Sequence, residues 1–167
     1  MKLPGIRIGV GYDSHRFEEN RPLVMGGIII PHTSGLSGHS DADVLLHAIA
    51  DAILGAAGLG DIGQHFPDTD IKFKDMASIK ILANIFEKIV KKGFLIGNID
   101  AVIIAEFPKM APHIPKMISK IARILMIDKS QVSIKATTNE MMGAIGRGEG
   151  IAVIANVILY EDNGTDL

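Results

Sequence analysis

The 167-residue chain contains no cysteine and no tryptophan, and its aromatic content is only 5%. Without thiols there can be no disulfide and no thiolate metal site, so any zinc must be held by histidine and carboxylate. The compartment is therefore reducing or indifferent. With aromatics so scarce against 47% hydrophobic residues, the core must be built from Ile, Leu, Val, Ala and Met. Mean hydropathy is nonetheless positive, which points to apolar surface covered in an oligomer rather than to a monomer. There is no excess of either charge: the net value of -2 and the lack of a basic run argue against a nucleic-acid partner. Nor is there a hydrophobic run fit to span a bilayer, since the longest, from Val44 to Leu59, is broken by His47 and Asp51. The N-terminus lacks the charged and apolar regions of a signal peptide. The expectation is one domain without a membrane partner, cytoplasmic or, if a transit peptide has been removed, organellar.

What is present is a concentration of metal-ligand chemistry. His39-Ser40-Asp41-Ala42-Asp43 and His47 lie around a helix start, and Asp13-Ser14-His15 lies near the N-terminus. Asp13 and His15 are two apart, so on an extended segment both side chains leave one face and can grip one ion. His47, about two turns into the expected helix, can project a third ligand. Three N/O donors leave a fourth zinc position open for a substrate oxygen, as in a catalytic zinc site. A plainer reading fits the same residues, because aspartates at helix starts are ordinary caps and a lone helical histidine is commonly a surface or core group.

Along the chain, Ile6, Ile8, Val10 and Tyr12 alternate with Arg7, Gly9, Gly11 and Asp13, a period of two that predicts a first strand delivering Asp13 and His15. Leu23–Met25 and Ile28–Ile30 flank Gly26-Gly27 as a hairpin. Ser40-x-x-Asp43 reads as a capping box opening a helix that runs towards Gly58. Its apolar face is Val44, Leu45, Ala48, Ile49, Ala52 and Ile53, and the polar stripe Asp43, His47, Asp51 puts an acid one turn either side of the imidazole. Gly58 to Asp75 reads as an irregular stretch, of a length that is usually functional or mobile. A second helix is expected from about Met76 to Lys92, with Ile79, Leu82, Ala83, Phe86, Ile89 and Val90 on its apolar face. Strands at Ile99–Ala105 and Val132–Ala136 enclose a helix from Pro115 to about Met126, a βαβ unit whose strands should be parallel. Ile151–Tyr160 closes the sheet. The fold class is α+β, a mixed sheet backed by helices.

After the strand ending at Ala136, Thr137-Thr138-Asn139-Glu140 runs into Gly143-x-x-Gly146-Arg147-Gly148-x-Gly150. Glycines admit close backbone approach, hydroxyls bind phosphate oxygens, and a carboxylate can hold magnesium between phosphates. No Gly-Lys-Ser/Thr ends the loop, so it is not a Walker motif. Arg147 is either an anion ligand or an ordinary surface arginine.

Six motifs in order then resemble the 2-C-methyl-D-erythritol 2,4-cyclodiphosphate synthase family: Gly9-x-Gly11-Tyr12-Asp13-x-His15; His39-Ser40-Asp41-x-Asp43-x-x-x-His47; Gly60-Asp61-Ile62-Gly63-x-x-Phe66-Pro67-Asp68-Thr69-Asp70; Pro108-Lys109-Met110-x-Pro112-His113-Ile114; Lys135-Ala136-Thr137-Thr138; and Gly146-Arg147-Gly148-Glu149-Gly150. The resemblance implies a homotrimer with sites between subunits. It implies zinc on Asp13, His15 and His47, and transition-state stabilisation by His39 and Thr138. Ser40, Asp61, Ile62, Gly63 and Phe66, Pro67, Asp68, Thr69 and Asp70 would contact the erythritol or ribose. Ala105, Glu106, Phe107, Pro108, Lys109, Met110 and Ala111, with Ala136, Thr137, Thr138 and Asn139, would surround the cytidine nucleotide. Arg147 would serve the substrate, and Glu140 would hold Mg2+ or Mn2+ on the diphosphate. The implied reaction is attack of the substrate's 2-phosphate on the β-phosphorus of 4-diphosphocytidyl-2-C-methyl-D-erythritol 2-phosphate, with release of CMP. Three positions depart from the family: Asn139 for a threonine, and Ala144 and His65 for apolar residues. Ala144 neighbours the region that lines the family's trimer-axis cavity, where isoprenoid phosphates bind. The rival readings are a zinc phosphohydrolase and a non-enzymatic trimeric module binding nucleotide or isoprenoid phosphate.

Overall fold

The computed structural model describes residues 5–67 and 76–162. Among the described residues, seven strands and five α-helices follow one another as β1 (Ile6–Glu19), β2 (Leu23–Met25), β3 (Ile28–Ile30), β4 (Ser34–Leu36), α1 (Val44–Ala57), α2 (Ile62–His65), α3 (Ser78–Lys91), β5 (Phe94–Ile104), α4 (Ile114–Ile124), β6 (Val132–Thr137), α5 (Gly143–Gly146) and β7 (Gly150–Glu161). Five strands make one sheet in the order β4-β1-β7-β5-β6, and β2 and β3 pair separately. Only β5 and β6 run parallel, joined through α4 as the βαβ pattern requires, so the sheet is mixed and the class α+β. β7 does not close the sheet at an edge. It lies at its centre, antiparallel to both β1 and β5.

The β2–β3 hairpin turns on Gly26 and Gly27 with φ of 60° and 73°, the twin positive values of a type I′ turn. α1 starts at Val44, not at Ser40. Asp43 is its cap, accepting from Leu46 N–H, while Gly58 ends the helix in the left-handed region at φ 67°. His47 consequently stands in the first turn. All six residues of the expected apolar face are buried. In α3 the expected face is met in most positions: Leu82 and Ile89 are buried and Ile79 and Phe86 pack against the core, but Ile81 and Ile85 are buried as well and Val90 is 46% exposed.

β1 packs its glycines, not its large apolar residues, against the helices. A Cβ on Gly9 would lie 1.9 Å from Ala52 O, and one on Gly11 would lie 1.9 Å from Ala48 O. The backbone of α1 therefore rests directly on β1. On the other face of the strand, Ile6, Ile8, Val10 and Tyr12 are all more than half exposed.

Candidate active site

The glycine contacts fix the site. Gly9 meets Ala52 and Gly11 meets Ala48, so α1 runs antiparallel to β1. Two further residues along the same strand face, Asp13 and His15 reach the first turn of α1 and face His47. Asp13 Oδ2 is 3.0 Å from His15 Nε2 and 3.1 Å from His47 Nδ1. One ligand atom from each residue lies within 4.8 Å of the others. These side chains line a cleft of about 240 Å³ together with His39, Ser40, Asp51, Ile62, Gly63 and Phe66.

The electrostatics call for a positive charge at the convergence point. Burial alone would push the Asp13 carboxyl up, but hydrogen bonds from His15 and His47 and their charges outweigh burial and hold it well below the usual carboxylate range. His15 is pushed up, chiefly by its hydrogen bond to Asp13, against an opposing effect of burial. A carboxylate oxygen this close to two ring nitrogens must be bridged by protons or by a cation. One carboxylate and two imidazoles are a donor set suited to zinc, so these residues fit a divalent ion.

The two acids flanking His47 on α1 do other work. Asp43 is fully buried, and its carboxylate takes Gly26, Gly27 and Leu46 N–H groups, locking the β2–β3 turn onto the helix start. Burial raises its pKa, partly offset by those bonds. Asp51 accepts from Ile62 N–H at 2.7 Å and is pushed up by burial. It thereby holds the start of α2, where Asp61 caps the helix by accepting from Gln64 N–H. His47 Nε2 instead meets Ser78 Oγ at 2.8 Å. Ser78 is absent from the sequence reading, because a serine opening a helix 31 residues away carries no local signal. His65, the third position that departs from the family, stands at the end of α2. It bonds Leu59 O at 2.8 Å and Lys88 Nζ at 2.9 Å, with Lys88 over the Phe66 ring. Asp68, Thr69 and Asp70 lie outside the described residues.

A second pocket, about 190 Å³, is lined by Ala105, Pro108, Lys109, Met110, Ala111, Ala136, Thr137 and Thr138. These residues gather because β5 and β6 are parallel and end together, with Ile104 opposite Thr137. Thr138 Oγ1 donates to Glu140 Oε1 at 2.9 Å. Glu106 points at the backbone of this loop, accepting from Asn139 N–H at 2.9 Å and Met141 N–H at 3.3 Å. The loop needs that support, because Glu140 and Met141 both have positive φ, at 50° and 62°. Phe107 is exposed, and Arg147 pairs with Glu149 at 2.7 Å.

The two groups of residues are far apart within the chain. Ser14 pairs with Ala152, Ala152 with Ile104, and Ile104 with Thr137. Three strand spacings separate the row at Asp13 and His15 from the row at Thr138, roughly 14 Å.

The chain matches the family model described as the YgbB family over residues 6–160. A protein of Halalkalibacterium halodurans named 2-C-methyl-D-erythritol 2,4-cyclodiphosphate synthase is 57% identical over 156 residues, covering 93% of this chain and 99% of that one. The Geobacter sulfurreducens protein of the same name is 58% identical over 156 residues, with the same coverage of 93% and 99%. Among solved structures, the bifunctional IspDF from Campylobacter jejuni superposes with a TM-score of 0.91 at 47% identity, over 95% of this chain and only 43% of that longer one. The CDP complex of IspF from Plasmodium falciparum has a TM-score of 0.84 at 38% identity and covers 97% and 100%.

Proposed function

The chain belongs to the YgbB family, that of the 2-C-methyl-D-erythritol 2,4-cyclodiphosphate synthases, and from this premise and the geometry of the cleft we infer an intramolecular cyclisation. It is a synthase that converts 4-diphosphocytidyl-2-C-methyl-D-erythritol 2-phosphate to 2-C-methyl-D-erythritol 2,4-cyclodiphosphate. An oxygen of the 2-phosphate bonds to the β-phosphorus, the bond from that phosphorus to the oxygen bridging to the α-phosphate breaks, and CMP leaves with the bridging oxygen. The observation that carries the reading is the convergence of Asp13, His15 and His47 in a cleft, in a chain matched by the family model over nearly its whole length.

Asp13, His15 and His47 would hold zinc, which when bound neutralises phosphate charge and makes phosphorus more electrophilic. Glu140, a carboxylate on an exposed loop, suits a hard cation such as Mg2+ or Mn2+. His39, at the cleft, and Thr138 would donate to phosphate oxygens as charge builds, the Thr138 hydroxyl turning from Glu140 once that carboxylate takes a cation. Ser40, Asp61, Ile62, Gly63 and the segment from Phe66 would take the erythritol portion. The pocket at Ala105–Ala111 and Ala136–Thr138 would take cytidine, with Glu106 and Asn139 shaping its loop. The protein supplies no side-chain nucleophile. Folding the substrate so that its own phosphate faces the β-phosphorus is the larger contribution.

The functional unit in this reading is a homotrimer. One diphosphate is too short to touch cations held on both rows, which lie roughly 14 Å apart in one sheet. Thr138 and Glu140 of a neighbouring subunit would complete the site around Asp13, His15 and His47. The exposed apolar row Ile6, Ile8, Val10 and Tyr12 supports such an assembly, because it leaves the helix-free face of the sheet without cover among the described residues. No helix of the described residues is long and apolar enough to cross a membrane, and the reading places the enzyme in the cytoplasm.

The test is product analysis after incubation with the cytidylylated substrate in water enriched in heavy oxygen. The expected products are the cyclic diphosphate and CMP, neither carrying label. Label in the first-formed product would convert the reading to a zinc phosphohydrolase, and binding without turnover would convert it to a binding module.

A further inference from the structure

His47 presents its two ring nitrogens to two different surroundings. Nδ1 faces Asp13 Oδ2 at 3.1 Å, and Nε2 lies 2.8 Å from Ser78 Oγ. Ser78 is 1% exposed, so its hydroxyl must find partners within the protein. That hydroxyl has one proton, which it donates to the Asp41 carboxylate. Both Asp41 oxygens also accept the Ser78 N–H, each at 3.2 Å. With its only proton committed, Ser78 Oγ can meet the imidazole only as an acceptor, and Nε2 must carry a hydrogen. With Nε2 carrying a hydrogen, Nδ1 is the nitrogen whose proton a metal ion can replace, and it faces Asp13.

We propose that Ser78 and Asp41 are positioning residues for the metal site, forming a directed chain from His47 Nε2–H through the Ser78 hydroxyl to the Asp41 carboxylate that fixes which imidazole nitrogen is the ligand. The proposal rests on the reading of Asp13, His15 and His47 as zinc ligands. Other candidates for the role are already occupied or too distant. Asp43 and Asp51, one turn either side on α1, spend their carboxylates on backbone N–H groups. Ser40 Oγ stands 3.4 Å from Nε2 and already accepts from Ala42 N–H at 3.1 Å.

The chain is anchored at both ends. Ala77, at the N-cap of α3, has no side chain with which to cap, and Asp41 replaces it from a distant turn. Arg21 pins that turn by donating to Gly38 O at 2.7 Å and Ser40 O at 2.5 Å. Hydrogen-bonded partners of metal-binding histidines fix ring orientation and tautomer, and their loss weakens metal binding about 10- to 100-fold.

The test compares Ser78→Ala and Asp41→Asn with the wild type by zinc affinity against a chromophoric chelator, by the visible spectrum of the cobalt(II) form, and by thermal denaturation of the metal-free protein. Ser78→Ala removes the acceptor of Nε2–H while leaving Asp41 able to cap the backbone. Zinc affinity should fall about 10- to 100-fold and the cobalt bands should shift, on top of whatever the lost buried bonds cost the metal-free protein. The double variant should be no weaker than the worse single one, because the two residues act as one chain. If Ser78→Ala fails to fold, Asp41→Asn decides the matter by the same readouts. Zinc affinity within about threefold of wild type with an unchanged cobalt spectrum would overturn the proposal, as would a loss of metal-free stability alone, which would make Ser78 merely part of a helix start. Failure of the wild type itself to bind zinc would instead remove the underlying reading of the three ligands.

Discussion

Gly11→Ala places one methyl group where α1 lies closest to β1, and its effect on the metal site can be worked out from the contact. The new Cβ would stand 1.9 Å from Ala48 O, so strand and helix must separate by at least about 1 Å in a packed interior that has no room to absorb it. Overpacking of this kind costs about 1–3 kcal/mol, which for a domain of this size lowers Tm by roughly 2–12 °C. The larger consequence is functional, because Ala48 is the next residue after His47, and Asp13 lies two residues beyond Gly11 on the same strand face. Metal ligands tolerate displacements of only about 0.2 Å. A retreat of α1 opens the 3.1 Å approach of His47 Nδ1 to Asp13 Oδ2 well beyond that tolerance. Purified Gly11→Ala should therefore be folded by circular dichroism, show a lowered Tm and carry little zinc by mass spectrometry. A variant that retains both full zinc occupancy and the wild-type Tm would refute the claim that the glycine contacts set the site. Gly55→Ala, whose nearest would-be contact is Val10 O at 4.0 Å, is the control and should retain zinc.

Asp43→Ala strips three backbone N–H groups of their acceptor and removes the cap of α1, so urea denaturation should report a loss of about 3–5 kcal/mol; a loss below about 1 kcal/mol would contradict it. For the metal-free protein, the raised pKa of His15 gives stability that is complete below the usual histidine value and is lost as pH rises through the raised one, while the lowered pKa of Asp13 gives stability lost only in strong acid. With zinc limiting, the same proton on His15 competes with the metal, so occupancy should fall as pH drops from above to below the raised histidine value; occupancy unchanged from mildly alkaline to mildly acidic pH would be inconsistent with an imidazole ligand here. Glu140→Gln should keep zinc yet lose most of the magnesium-dependent rate, because an amide is a poorer ligand for a hard cation, and an unaltered magnesium titration would reject the assignment. Mixing subunits of inactive His47→Ala and Thr138→Ala should restore activity if sites are composite, whereas confirmed subunit exchange with no recovery would show that each site lies within one chain.

The parts of the fold that were legible are those whose signals are local. Gly26-Gly27 between two apolar triplets specifies its hairpin, and the parallel pairing of β5 with β6 follows from a helix between two strands. Where two local signals compete, tertiary contacts decide. Ser40 and Asp43 are both good caps, and Asp43 prevails because its second oxygen also takes the Gly27 N–H of the hairpin. In α3 apolar residues occupy nearly every turn on two overlapping stripes, and packing against α1 and the sheet buries Ile81 and Ile85 while leaving Val90 exposed. The first strand shows the same limit more sharply. A period of two gives the strand but not which face is inside, and here the glycine face is inside because α1 approaches to backbone contact.

The candidate site divides along the same line. Asp13 and His15 could be paired from sequence because their shared face depends only on strand geometry, and His47 joins them through the donor chemistry left in a chain without cysteine. The stripe Asp43, His47, Asp51 is also real, yet its obvious meaning fails: spacing brings the acids near the ring, but unsatisfied backbone donors at Gly26, Gly27 and Ile62 claim both carboxylates first. Buried N–H groups without acceptors are costly enough to dictate such choices. His47 is left to a serine whose place is fixed by Asp41 reaching across to a helix that lacks a cap of its own. An imidazole's partner is thus determined by what every nearby acceptor must satisfy, and that accounting exists only once the chain is folded.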